Sequence, residues 1–305
     1  MSTHHETKQL VLLGVDGGGT RCRARLADAA GKTLGESVAG PANPRHGLQE
    51  TLSAIHEATD QCLRNADFAL GDCRIVACLA LAGVSESKSH AQVQASRLAF
   101  HRLVLTSDAR AACFGAHAGH DGGIIIVGTG SVGWGRVVHK EHRVGGWGFP
   151  VSDEGSGASL GCEALRRVLW AHDGLIPWTN LLLTLFEKFG RESCGIVHWM
   201  SNARPRDFAT LAPTIVKHAQ QGDAIACGLM QSAAAHIDMV AARLCTLGVP
   251  RLSLMGGLAD SILPFLSHQT RSGLVAAKGD ALDGALRLAC AEAASVGLME
   301  PVRNA

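Results

Sequence analysis

The sequence has no excess charge of either sign and no long apolar run. Its 305 residues carry 28 Lys and Arg against 27 Asp and Glu, for a formal net charge of +1. So small a net charge gives no field that could hold nucleic acid or an anionic membrane surface. No continuous apolar run approaches the roughly 18 residues of a membrane span. We therefore expect no nucleic-acid partner and no membrane partner, and we expect a small molecule as the ligand.

Paired cysteine motifs are also absent, although the chain has ten cysteines. Without a C-x-x-C pair, neither a zinc ribbon nor a thioredoxin-like redox site is indicated. The first nine residues are polar and lack the apolar segment of a secretory signal. These observations predict a cytoplasmic protein in which most thiols are buried side chains.

The chain is organised around a glycine-rich stretch near its start. Val11 to Val15 is apolar and predicts a strand, and residues 17 to 19 are three glycines that favour a sharp turn with positive φ. Period-two alternation from Cys22 predicts a returning strand. Such a tip lets backbone N–H groups approach phosphate oxygens, and Asp16 beside it can hold Mg²⁺ directly or through water. A plain glycine turn is the alternative.

A second stretch, from Gly122 to Val138, repeats this pattern of strand, glycine-rich turn and returning strand. Residues 128 to 133 also satisfy G-x-G-x-x-G, the dinucleotide-binding spacing. That motif must open a helix, whereas Trp134 to Val138 is rich in β-formers, so we exclude it. Two glycine-tipped hairpins, one in each half of the chain, are predicted to close on one triphosphate.

Helices and strands alternate after the first hairpin, which predicts an α/β domain with a mixed sheet. The predicted segments are a strand at 34–39, a helix at 47–66, a strand at 75–84, a helix at 87–99, a strand at 103–106 and a helix at 109–119. Further helices are predicted at 156–172, 224–247 and 280–294, and Gly284 in the last of these permits close approach of another element. A strand at 250–257 ends in two glycines that can lie against a nucleotide base or form a simple turn.

Three loops carry candidate functional residues. Asp108 follows a predicted strand, where open α/β sheets place ligands, and could accept a proton from a substrate hydroxyl. It could also act as a helix N-cap, and the two roles are compatible. Asn43 lies between prolines and either binds a ligand hydroxyl or forms an Asx turn. The glycine-rich loop 143–161 carries Trp147, Asp153 and Glu154, an aromatic ring with carboxylates that suits the apolar face and hydroxyls of a sugar.

The order of these motifs resembles that of a known superfamily. Asp16 with its glycines resembles the phosphate-1 motif of actin, Hsp70 and sugar kinases, and Asp108 resembles their connecting motif. Further along the chain, residues 128–131 resemble the phosphate-2 motif and residues 256–257 the adenosine motif. Within that superfamily the chain resembles the BadF/BadG/BcrA/BcrD-type ATPases, in the branch of N-acetylglucosamine kinase and glucosamine kinase. The resemblance covers nearly the whole chain.

The resemblance implies an α/β protein of two ribonuclease-H-like, actin-like ATPase domains, each with a mixed β-sheet, around an interdomain cleft. The N-terminal domain would cover residues 1–119 and the C-terminal domain residues 120–305. A helical insertion is expected at about 156–245, and a C-terminal helix at about 282–297 would pack back on the N-terminal domain.

The resemblance also implies a role for each motif residue. Asp16 would hold Mg²⁺ and Asp108 would be the base for the sugar 6-hydroxyl. ATP would be bound by Gly17, Gly18, Gly19, Thr20, Gly128, Thr129, Gly130, Gly256 and Gly257. The sugar would be bound by Asn43, Asp108, Ser131, Gly146, Trp147, Asp153 and Glu154.

The activity so implied is ATP- and Mg²⁺-dependent phosphorylation of N-acetylglucosamine or glucosamine at the 6-hydroxyl, in a homodimer. The free ammonium at C2 of glucosamine would need a carboxylate in the site, whereas the acetamido group of N-acetylglucosamine would need an apolar wall. Both sugars therefore remain candidate substrates. The alternatives are a dehydratase-activating ATPase, which needs an iron–sulfur cluster between two subunits, and an Hsp70-like module in which ATP drives a change of shape.

Overall fold

The computed structural model describes residues 8–44, 47–84, 87–96, 98–138 and 140–299. The chain divides into two compact units. Unit 1 comprises Met1–His120 together with Ala277–Ala305, and unit 2 comprises Asp121–Ala276. Each unit has its own sheet and its own hydrophobic core.

The elements are numbered in chain order. The strands are β1 (Gln9–Gly17), β2 (Cys22–Asp28), β3 (Thr33–Ala39), β4 (Cys73–Leu81), β5 (Arg102–Thr106), β6 (Gly122–Val127), β7 (Ser131–Val137), β8 (Lys140–Gly145) and β9 (Leu252–Met255). The helices are α1 (Leu48–Asn65), α2 (Ser87–Ala95), α3 (Asp108–Ala116), α4 (Gly157–His172), α5 (Asn180–Lys188), α6 (Ser193–Met200), α7 (Pro205–Ala209), α8 (Ala212–Gln220), α9 (Ala224–Thr246), α10 (Ala259–Ile262), α11 (His268–Gly273) and α12 (Ala281–Ser295).

The sheet of unit 1 is mixed, with strand order β3-β2-β1-β4-β5. β1 and β2 form an antiparallel hairpin, whereas β1 and β4, and β4 and β5, are parallel. Successive side chains of β1 pack into different cores. Val11 and Leu13 pack into a core to which α1 contributes, and Leu12 packs into a core to which α3 and α12 contribute. Helices therefore cover both faces, as the continuous apolar runs of β1 and β4 predict.

Helix α12 packs against α3 through two glycines. A Cβ on Gly284 would lie 1.7 Å from the carbonyl oxygen of Ala111, and a Cβ on Gly115 would lie 1.8 Å from that of Asp280. The backbone N–H of Lys278 also donates to the carbonyl oxygen of Ala116 at 2.9 Å. Since any side chain at either glycine would collide with backbone, the close approach requires glycine at both positions.

The sheet of unit 2 is also mixed, with strand order β8-β7-β6-β9. β6 is antiparallel to β7 and parallel to β9. Ile125 and Val127 of β6 pack into a core formed largely by α4, α5, α8 and α9. β7 is a strand and not a helix, as the exclusion of the dinucleotide motif required.

Several boundaries differ from the sequence prediction. β4 ends at Leu81 and α2 at Ala95, both earlier than predicted. The loop predicted from Arg143 begins inside β8, where Arg143 and Val144 pair with β7. β8 was missed because it is an edge strand of charged and polar residues, which carries no apolar signal and is how natural sheets protect their edges.

By length and hydropathy α9 could cross a membrane, and it is the one helix in the described ranges that meets this test. One side of it lies in the core of unit 2 through Ala226, Leu229, Met230, Ala233, Ala234, Ile237, Ala241 and Leu244. Packing in that core accounts for its apolar composition.

Candidate active site

The predicted site residues of unit 1 lie at one edge of its sheet. β1, β4 and β5 are parallel, and Gly17 pairs with Leu81 as Ala80 pairs with Thr106, so these three strands end together. Cys22 pairs with Ala39, which brings the end of β3 to the same edge. The segments that follow carry residues 18–20, Asn43 and Asp108, and Asp16 precedes the end of β1.

The first hairpin tip is closed by backbone hydrogen bonds. The N–H of Gly18 donates to the carbonyl oxygen of Arg21, and the N–H of Ala42 donates to that of Gly18, both at 2.9 Å. Gly17 and Gly18 do not have positive φ, so that part of the prediction is wrong. Gly17 is required by packing instead, because a Cβ there would lie 2.5 Å from Leu81 Cδ2 and 2.9 Å from the oxygen of Ala42. The loop that carries Asn43 is thereby held against the tip.

Asp16 forms an ion pair across the hairpin with Arg23, its partner in the strand register. Arg23 Nη2 and Nε lie 2.6 Å and 3.2 Å from Asp16 Oδ2, and Nη1 lies 2.8 Å from Asp280 Oδ2. Both contacts to Asp16 end on Oδ2, and Oδ1 accepts no hydrogen bond from the described residues.

A magnesium ion fits this arrangement. Within the described ranges no group of three or more His, Cys, Asp and Glu side chains could hold a metal. In kinases, however, Mg²⁺ is usually held by one or two carboxylates together with substrate phosphates and water. A single carboxylate with one oxygen available, next to a glycine tip, meets that need.

Asp108 is the first residue of α3 and not its N-cap. Ser107 is extended, with φ −77° and ψ 151°, and its side chain accepts from the N–H of Arg110, so Ser107 is the cap and the prediction is wrong. Asp108 Oδ1 accepts from the N–H of Ala109 at 2.8 Å. The half-buried carboxylate therefore stands at the start of a helix, at the edge where β5 ends.

In unit 2 the predicted phosphate-2 and adenosine motifs lie side by side. β6 and β9 are parallel neighbours, and residues 128–130 and 256–257 follow them at the same edge. The N–H of Leu258 donates to the carbonyl oxygen of Val127 at 3.0 Å. Gly256 has φ +102°, and a Cβ there would lie 2.4 Å from the oxygen of Val127. Gly256 must therefore be glycine for both its conformation and its packing.

The second hairpin tip is held by the N-terminus of α4. The N–H of Gly157 donates to the carbonyl oxygen of Gly128 at 2.8 Å, and the N–H of Ala158 donates to that of Thr129 at 3.2 Å. The buried Ser156 caps the same helix by accepting from the N–H of Ser159. Sequence reasoning missed this use of Ser156, although a serine before an apolar helix is a recognised cap signal.

The predicted sugar loop folds back on this tip. The Ser131 hydroxyl donates to the carbonyl oxygen of Glu154 at 2.7 Å, and Asp153 Oδ1 accepts from the N–H of Gly148 at 3.1 Å. Asp153 has φ +68°, and a Cβ on Gly130 would lie 2.6 Å from its Oδ2. The structure thus brings Ser131 and Asp153 next to Gly130.

Trp147 and Gly146 lie in the outer part of this loop. Trp147 is 72% exposed, and Arg143 Cζ lies 4.4 Å from the centroid of its ring in a cation–π contact. Gly146 has φ +71°, and a Cβ there would lie 2.6 Å from Val132 Cγ2. Glu154 is exposed, and its backbone carbonyl oxygen, not its carboxylate, accepts the hydrogen bond from Ser131. The role of Arg143 was missed, since cation–π partners have no fixed spacing in sequence.

Each unit therefore gathers its own predicted residues at one sheet edge. The prediction that the two hairpins close on one triphosphate stays a prediction.

The chain is similar in sequence or in structure to several known sugar kinases. The glucosamine kinase of Vibrio cholerae is 38% identical over 91% of this chain and 95% of its own length. The crystal structure of a candidate N-acetylglucosamine kinase from Chromobacterium violaceum matches with a TM-score of 0.86 and 30% identity, covering 93% of this chain and 99% of the other. A ROK family glucokinase from Streptomyces griseus shares the fold alone, with a TM-score of 0.56 and 19% identity over 94% of this chain and the whole of the other.

The two mixed sheets and these neighbours define the class of two-domain, actin-like sugar kinases and ATPases. Residues 13–272 match the BadF/BadG/BcrA/BcrD ATPase family, and the chain belongs to that family. Membership implies the use of ATP.

Proposed function

We propose that this protein is an ATP-dependent amino-sugar kinase that phosphorylates the 6-hydroxyl of glucosamine or N-acetylglucosamine. The observation that carries the proposal is the position of Asp108, a half-buried carboxylate at the same sheet edge as Asp16 and its glycine tip. The similarity to the Vibrio cholerae enzyme along almost the full chain supports an amino sugar as the acceptor.

In this proposal Asp108 binds the acceptor alcohol and takes its proton. As the bond between O6 and the γ-phosphorus forms, the bond from that phosphorus to the bridging oxygen of ADP breaks. The proton passes from O6 to a carboxylate oxygen of Asp108, which is fixed by its place at the start of α3. General-base catalysis of this kind typically contributes ~10²–10⁴ in rate.

Residues at the glycine tips bind the nucleotide. The N–H of Gly18 donates to Arg21 and that of Gly128 donates to Gly130, so the backbone donors to the phosphates are residues 19–20 and 129–130. The hydroxyls of Thr20 and Thr129 are further donors, and Gly17, Gly18 and Gly128 let the backbone come close to the phosphates. Gly257, where a Cβ would meet no atom within 4 Å, leaves space for the adenosine, and Gly256 forms the turn that presents it. Asp16 holds Mg²⁺, which when bound offsets charge on the phosphates.

The sugar is bound by Asn43, Ser131, Gly146, Trp147, Asp153 and Glu154 together with Asp108. Because the Ser131 proton is donated to Glu154, its oxygen can accept from a sugar hydroxyl. The carboxylates can accept from hydroxyls or pair with an ammonium, and the exposed Trp147 ring offers an apolar face.

A coupled assay of ADP release tests the activity and selects the sugar. The substrates are glucosamine, N-acetylglucosamine, glucose and N-acetylmannosamine, each with ATP and Mg²⁺. We expect ADP production with one or both of the first two and little with the others. ATP binding without ADP production on any of these sugars would contradict the proposal and favour a binding module.

The proposal includes a cytoplasmic homodimer. Sedimentation of the purified protein tests the homodimer directly, because a monomer has half its mass.

A further inference from the structure

The Arg23 side chain joins two carboxylates that are far apart in sequence. Its Nε and Nη2 both donate to Oδ2 of Asp16, while its Nη1 donates to Oδ2 of Asp280. Its side chain is 25% exposed. The planar guanidinium fixes these donors in one geometry, so the orientation of Asp16 depends on that of Asp280.

Asp280 is itself immobilised as the N-cap of α12. Its Oδ1 accepts from the N–H groups of Leu282 and Asp283, and its own N–H donates to the side chain of Asp283. Burial acts to raise the pKa of Asp280, but the hydrogen bonds from the Asp283 N–H and from Arg23 outweigh it and hold that pKa below its ordinary value. Asp280 is therefore a charged and rigid anchor.

The anchor belongs to the same framework as Asp108. α12 is packed against α3 through Gly115 and Gly284, and α3 begins at Asp108. A continuous set of contacts thus runs from Asp16 through Arg23 and α12 to the helix that carries the proposed base. Arg23 also places a positive charge between Asp16 and Asp280, whose negative charges would otherwise repel each other.

We infer that Arg23 is a positioning residue for the metal: it holds Oδ2 of Asp16 against the N-terminus of α12 and leaves Oδ1 to bind Mg²⁺. This inference rests on the proposed function, in which Asp16 is the magnesium carboxylate. Arg23 acts through Asp16 and touches neither substrate in this role.

Arg25 provides a matched control. It lies two residues further along β2, on the same face, and donates to Asp283 Oδ1 at 2.5 Å and to Glu36. It therefore makes the same kind of ion pair between the sheet and α12 but has no bond to Asp16. Arg25→Gln removes such a pair without touching the metal carboxylate.

The test compares Arg23→Gln with Arg25→Gln in three measurements on the full chain. These are the Mg²⁺ concentration for half-maximal activity, the affinity for ADP by calorimetry with Mg²⁺ and with EDTA, and Tm without nucleotide. We expect Arg23→Gln to raise the half-maximal Mg²⁺ concentration about 10- to 100-fold. It should weaken ADP binding in Mg²⁺ but not in EDTA, while Arg25→Gln changes only Tm.

Two further variants keep the inference testable if Arg23→Gln folds poorly. Asp280→Asn retains a capping side chain but loses the charge, so it should shift the Mg²⁺ requirement in the same direction by less. Arg23→Lys keeps the charge without the fork of donors and should lie between Arg23→Gln and the parent.

The inference is overturned if Arg23→Gln and Arg25→Gln lower Tm alike and leave the Mg²⁺ requirement unchanged. Asp16→Asn separates this failure from that of the proposed function. If Asp16→Asn loses Mg²⁺-dependent ADP binding while Arg23→Gln keeps it, only the inference about Arg23 fails. If Asp16→Asn keeps it too, the proposed magnesium role of Asp16 fails.

Discussion

At the scale of single residues, Asp223 shows how one carboxylate joins two helices. Its Oδ1 accepts from the N–H groups of Ile225 and Ala226 as the N-cap of α9, and its Oδ2 accepts from the N–H of Leu181 in α5. Burial acts to raise its pKa, but these backbone hydrogen bonds outweigh it and hold the pKa of Asp223 below its ordinary value. The charged form is thus favoured by folding.

This shift predicts a pH-dependent part of the stability. Because the pKa is lower in the folded state, the contribution is complete above the unfolded-state pKa and is lost as pH falls through the folded-state value. Asp223→Asn keeps a capping oxygen but not the charge. We expect the difference in free energy of unfolding between parent and variant to shrink as pH is lowered from about 5 to about 2, measured by urea unfolding. A difference that stays constant over that range would contradict the argument.

Also at this scale, sequence predicted the acids of the site better than their partners. Asp16 and Asp108 could be predicted because each follows or ends an apolar strand. The pairing of Asp16 with Arg23 could have been predicted from the hairpin register, since residues at equal distances from a short turn lie opposite each other on the two strands. Asp280 could not, because a contact between residues so distant in sequence depends on how α12 packs.

At the scale of elements, the α3–α12 contact limits which substitutions the chain tolerates at the glycines between the two helices. Gly284→Ala would place a methyl group 1.7 Å from backbone oxygen, which neither helix can relieve without moving. We expect a loss of about 1–3 kcal/mol in the free energy of unfolding, and a lower kcat because α3 carries Asp108. Urea unfolding and the ADP assay measure the two effects.

Gly228→Ala is the control for this substitution. Gly228 lies in the interior of α9, and a Cβ there meets no atom within 4 Å. Alanine should therefore stabilise the protein, by about 0.5–1 kcal/mol, through its higher helix propensity. If the two variants changed stability alike, steric contact at Gly284 would not be the cause.

Strands buried on both faces were predictable at this scale, and edge strands were not. β1, β4 and β6 carry apolar runs that helices cover, whereas β8 is charged and lies at the sheet edge. The helices between α4 and α9 were predicted only as part of a helical insertion at about 156–245, because their amphipathic stripes do not show where each turn falls.

At the scale of the whole molecule, the order of motifs carried more information than any one of them. Each glycine tip alone is compatible with an ordinary turn. The family to which the chain belongs was identified from the order of four features. These are the first hairpin, an aspartate at a strand end, the second hairpin and a pair of glycines near the C-terminal end of the chain. The choice between the two amino sugars did not follow, because it depends on how the loop around Trp147 and Asp153 meets the group at C2.

The most direct test of the account is kcat of Asp108→Asn with the amino sugar that the parent uses, measured beside ADP affinity. Asparagine keeps the size of the side chain but cannot take the proton from O6. We predict that kcat falls ~10²–10⁴ while ADP binds with unchanged affinity. A variant that phosphorylates the sugar at the parental rate would contradict the central claim.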